Sequence, residues 1–79
     1  MQYIATFYSH FGAIRFKNET KGITSPRLMP VPRKLSSSCG TCVRFSGAAD
    51  WTIPEDTAEI EQIVRETDLG YEIVYKAED

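Results

Sequence analysis

Pro54-Glu55-Asp56-Thr57-Ala58-Glu59-Ile60-Glu61-Gln62-Ile63-Val64-Arg65-Glu66-Thr67 determines which fold the chain adopts. Ile60, Ile63, Val64 and Thr67 recur at helical spacing and form the clearest amphipathic stripe in the sequence. Asp50 or Thr52 can cap such a helix, and Pro54 suits its first turn. Glu55 and Asp56 complement the N-terminal dipole, and Leu69-Gly70 ends the element. The stretch therefore predicts an α-helix, the second of the chain.

On its C-terminal side, Tyr71, Ile73 and Tyr75 alternate with Glu72, Val74 and Lys76, the pattern of a strand. Ala77-Glu78-Asp79 is expected to fray. On the N-terminal side, Thr41 to Ser46 predicts a strand with Val43 and Phe45 on one face and Arg44 on the other. Gly47-Ala48-Ala49-Asp50 closes it. Ile23 to Val31 predicts an edge strand, because Pro26 and Pro30 each remove a ladder donor. Further upstream, Ser9 is a good N-cap for a helix from His10 to about Lys21, with Phe11, Ile14 and Phe16 inward and Gly22 as C-cap. Tyr3 to Tyr8 is apolar on both faces and predicts a central strand.

The resulting order is β-α-β-β-α-β. It predicts an α+β fold, a ferredoxin-like two-layer sandwich with a four-stranded antiparallel sheet and two helices on one face. Strands one and three lie in the centre. The 79 residues make one small domain, residues 1–79, too small for a large active-site cavity. No apolar run reaches the length of a membrane span, so no membrane partner is expected. The chain opens on a strand-like segment with no signal peptide before it, which predicts a cytoplasmic location. There, two cysteines are reduced, reactive or metal-bound more often than disulfide-bonded.

Net charge is −2, but residues 1–49 sum to +6 and residues 50–79 to −8. Either the two halves pack and neutralise each other, or the basic half offers a surface to an anion or acidic partner. The basic half contains both cysteines, in Pro30-Val31-Pro32-Arg33-Lys34-Leu35-Ser36-Ser37-Ser38-Cys39-Gly40-Thr41-Cys42-Val43-Arg44-Phe45. The prolines fix an extended entry, and the serines and Gly40 make a polar loop beside Cys39. Arg33, Lys34 and Arg44 are candidate anion-binding cations. Ser38 and Gly40 are candidate backbone N–H donors. In the expected topology, the helix-one N-terminus and His10 approach the thiols, where a helix dipole and nearby cations stabilise a thiolate.

The run Leu28 to Gly40, with Val43-Arg44-Phe45 after it and Ser9-His10 at the first helix, resembles a small family described as selenium/sulfur carrier-like proteins. Its members are similar single short domains with the pattern P-V-P-R-x-L-S-S-S-C-G before a strand. The resemblance implies that Cys39 holds sulfur or selenium as a persulfide or selenosulfide. It also implies a cysteine desulfurase-type donor and an acceptor protein, and a carrier rather than a stand-alone enzyme. Cys42 is additional to the pattern.

Cys42 has three open readings. It can resolve a loaded Cys39 by forming a disulfide, as in a C-x-x-C redox protein. It can be a strand residue facing the other layer. It can also be half of a four-cysteine zinc site across a homodimer, since one chain supplies only Cys39, Cys42 and His10. No cofactor or metal is expected within one chain. A non-enzymatic interaction module is a further alternative. Nucleic acid is not expected: aromatics are available, but no RNP-type motif is present and the C-terminal half is acidic.

Overall fold

The computed structural model describes residues 1–48 and 50–77. Ala49, which falls in the expected closing turn, and Glu78 and Asp79 of the expected frayed tail lie outside the described residues. The elements are β1 (Gln2–Phe7), α1 (His10–Glu19), β2 (Ile23–Pro30), β3 (Thr41–Gly47), β4 (Ile60–Thr67) and β5 (Gly70–Lys76). The five strands form one sheet in the order β2-β3-β1-β4-β5, with every neighbouring pair antiparallel. β1 is central and β2 is an edge, as their compositions predict.

The ferredoxin-like βαββαβ sandwich is not formed. Among the described residues there is one helix, and Ile60–Thr67 is a strand. Ile60, Ile63 and Val64 are buried as expected, but as members of the sheet rather than as a helix packed on it. A bulge explains the misleading period. Thr6 pairs with Gln62 but Phe7 pairs with Ile60, so Glu61 has no partner on β1. The extra residue returns Ile60 to the same face as Ile63, three positions on, and both join the core under α1. Val64 faces the other way, opposite Ile4. A helix would bury one stripe. A strand beside β1 buries both faces, and β-branched Ile60, Ile63 and Val64 suit that position.

Residues 50–59 are irregular. They cover the helix-side core where the second helix was expected, through Trp51 and Ile53. The Trp51 ring meets Tyr3 and Phe45 edge-on, each with centroids 5.3 Å apart. The indole lies directly against Gly47, where a Cβ would collide with it.

α1 begins at the expected cap, Ser9, whose hydroxyl accepts from Gly12 N at 3.1 Å. It ends at Glu19, with Thr20 rather than Gly22 as C-cap. Phe11 is 68% exposed and Ile14 is also exposed, contrary to expectation. The buried face is Gly12, Ala13 and Phe16, whose small residues let the helix approach closely. On β2, the register shifts between Thr24 and Arg27 around Ser25, at φ +52°, and Pro26, which spoils this edge for further pairing.

Each face of the sheet has its own core. Phe16 of α1 joins Phe7, Val43, Phe45, Ile60 and Ile63 of the sheet in one core. On the other face Ile4, Cys42 and Val64 are covered by Met29, Val31, Leu35 and Tyr71. Arg15–Asp56 at 3.6 Å and Arg44–Glu66 at 2.6 Å join the basic and acidic halves.

Candidate functional site

The last pair of the β2–β3 hairpin is Pro30 with Thr41. Residues 31–40 form its loop, closed by Val31 N donating to Gly40 O at 3.1 Å. Gly40 takes φ +75°, a left-handed conformation that favours glycine. Leu35 packs on the face opposite α1, whereas Cys39 packs against the core under α1. The loop therefore passes round the end of the sheet. Two serines hold it there. The Ser37 hydroxyl donates to Phe7 O at 3.1 Å. Ser38 donates its N–H and hydroxyl to the two oxygens of Glu61, at 2.9 and 2.8 Å. Glu61 is the bulged residue of β4, so the bulge that disguised the strand also aims this carboxylate at the loop.

Cys39 is half-buried. Its thiol donates to Thr41 O at 3.4 Å, with Ser37 Oγ 3.9 Å away. His10, exposed at the start of α1, has Nδ1 3.3 Å from Thr41 Oγ1. His10, expected to approach the thiols, reaches Thr41, the first residue of β3. The helix N-terminus meets a carboxylate of this chain: Ser9, which caps Gly12 N, donates to Glu59 Oε2 at 2.8 Å.

Cys42 is fully buried in β3, and its thiol donates to Pro30 O at 3.7 Å. Burial first, and the nearby Cys39 second, push it up to about 11. The two cysteines are unbonded and belong to the cores of opposite faces. Arg44 is on the Cys42 side and turned away from Cys39. It forms a two-pronged pair with Glu66, at 2.6 and 3.2 Å, which raises the guanidinium and lowers the carboxyl. Arg33 and Lys34 are exposed and join no ion pair among the described residues.

The structure thus gathers Cys39, Ser38, Gly40 and His10 at one end of the sheet, and sets Arg44 and Cys42 apart from them. Sequence reasoning missed Glu61, Ser37 and Thr41. Glu61 carried no readable signal, because on a helix it would have been an ordinary solvated acid. Among the described residues, no three His, Cys, Asp or Glu side chains form a metal-binding group. No helix is long and apolar enough to cross a membrane.

Residues 2–76, which include the Pro/Ser-rich loop with its half-buried cysteine and the Ser-His helix start, match the model of one family. The chain belongs to the family described as "Putative Se/S carrier protein-like". No curated protein and no solved structure matches it. Membership in the Se/S carrier-like family supports a role in carrying sulfur or selenium at the level of the family.

Proposed function

We propose that Cys39 is the carrier thiol and that it exchanges sulfur or selenium between a desulfurase-type donor and an acceptor protein. One observation carries this reading: of the two thiols, only Cys39 lies on a partly accessible loop, while Cys42 is sealed in the sheet. In loading, the Cys39 thiolate attacks the outer sulfur of a persulfide on the donor. The donor S–S bond breaks, the donor leaves as a thiolate, and Cys39 becomes the persulfide. Unloading is the same displacement by an acceptor thiolate, so no external oxidant or reductant is needed. Selenium follows the same course. Ser37 and the Glu61–Ser38 clamp hold the loop, and His10 holds Thr41, whose carbonyl accepts from the thiol. Burial and a raised pKa favour Cys42 as a core residue, since attack on Cys39 would require the loop to uncover it.

Intact-mass analysis after incubation with a cysteine desulfurase and cysteine or selenocysteine tests the reading. Wild type and Cys42→Ala should each gain one chalcogen and keep it equally long, and Cys39→Ala should gain none. Equal loading of Cys39→Ala would overturn the assignment. A wild type that ends two hydrogens lighter, with Cys42→Ala holding its load longer, would restore the resolving role of Cys42.

A further inference from the structure

The face opposite α1 carries a groove of about 740 Å³. One wall is the cysteine loop, with Lys34, Leu35 and Ser38, and the other is the β4–β5 hairpin, with Tyr71, Ile73 and Lys76. Its surface is amphipathic. Leu35 and Tyr71 pack against the buried cluster of Ile4, Cys42 and Val64, and Ile73 is 58% exposed. Leu69, also on the groove, is fully exposed at the tip of the hairpin. Lys34 and Lys76 stand on opposite walls and join no ion pair among the described residues. Among the described residues Glu61 is the one carboxylate in the lining, and Ser38 engages both of its oxygens. Among the described lining residues two lysines thus stand against one carboxylate, and the groove carries a small positive excess.

We infer that this groove docks an extended polypeptide segment rich in carboxylates and large apolar side chains. The lysines fit the carboxylates, and Leu35, Leu69 and Ile73 fit the apolar side chains. The length of the segment follows from the walls, which belong to two separate elements and leave Leu69 and Ile73 outside any enclosure for a small molecule. Its extended form follows from β5. That strand is the sheet edge beside the groove and has no proline in Gly70–Lys76, whereas the opposite edge, β2, is blocked by Pro26 and Pro30. Ser38, the residue before Cys39, lines the groove, while the Cys39 side chain itself packs towards the core under α1. The identity of the occupant as the donor or acceptor rests on the carrier reading; the groove and its chemistry do not.

Binding is therefore measured on the unloaded full chain, labelled with ¹⁵N. The probes are an acetylated peptide of alternating glutamate and leucine, the same peptide with glutamine for glutamate, and a single-stranded RNA oligomer. The acidic peptide should shift the amides of Lys34, Leu35, Ser38, Tyr71, Ile73 and Lys76. Its affinity should fall at least tenfold for the glutamine peptide and for the Lys34→Glu/Lys76→Glu double variant. Ile73→Glu should weaken it comparably, while the rest of the spectrum stays folded. Shifts confined to α1 or β2, no shift with saturating peptide, equal affinity for both peptides, or groove shifts from RNA alone would each overturn the inference. Failure of wild type to accept sulfur would overturn the carrier reading and leave these outcomes unchanged.

Discussion

Cys39 and Cys42 are three residues apart and occupy contrasting environments. Cys39 lies beyond the last β2–β3 pair, on a loop held by serine hydroxyls and one carboxylate. Cys42 lies inside the ladder, opposite Thr6 on one side and Met29 on the other, with no exposed surface. Chain proximity therefore does not give the two thiols of this C-x-x-C the same surroundings. The pleat of β3 sends Cys42 to the core opposite α1, while the path of the loop carries Cys39 to the core under α1. The loop leaves its thiol partly accessible, and the strand buries the other.

Alkylation should show the largest contrast. With its thiol pushed up to about 11, Cys42 is thiolate in only on the order of one molecule in 10⁴ at pH 7, and burial adds a barrier of access. Iodoacetamide should label Cys39 at least 100-fold faster, and Cys39→Ser should remove the fast phase. Comparable rates at both positions, followed by peptide mapping, would abolish the distinction.

Stability should reverse the ranking. Cys42→Ser places a hydroxyl in an apolar site and should cost about 1–3 kcal/mol in urea unfolding. Cys39→Ser, on the half-buried loop, should cost less than about 1 kcal/mol. The raised thiol adds a pH signature. Because Cys42 is held neutral in the folded state, its contribution is complete below its ordinary value of 9.0 and is lost as pH rises through about 11. Wild type should lose stability across that window more steeply than Cys42→Ala. Parallel pH curves would show that burial does not set the thiol.

The smallest effect should come from Glu61→Ala. It removes both acceptors of Ser38, an exposed pair of hydrogen bonds, and should cost about 1 kcal/mol. Exchange of the Ser38 amide with solvent should accelerate while Cys42 stays protected from alkylation. If Cys42 becomes as reactive as Cys39, the Glu61 tether, rather than β3 itself, is what seals it.

The amino-acid sequence by itself determined that the first strand, Gln2–Phe7, is central, the edge character of a strand containing Pro26 and Pro30, the Ser9 cap, and the cysteine loop. Each follows from local chemistry: two-sided apolar character, missing N–H donors, a hydroxyl before a helix, a Ser/Gly-rich connection after prolines. The nature of residues 60–67 was decided only by the tertiary structure. Ile60, Ile63 and Val64 fit a helical stripe and a bulged, two-faced strand equally well. The choice came from β1, which offers hydrogen bonds along its whole edge and burial on both sides. The same pairing expelled Glu61 as a bulge and turned its carboxylate onto Ser38. The separation of Arg44 and Cys42 from Cys39 was likewise decided by the sheet, because the pleat determines on which face a side chain appears, whereas the loop follows its own path round the sheet's end.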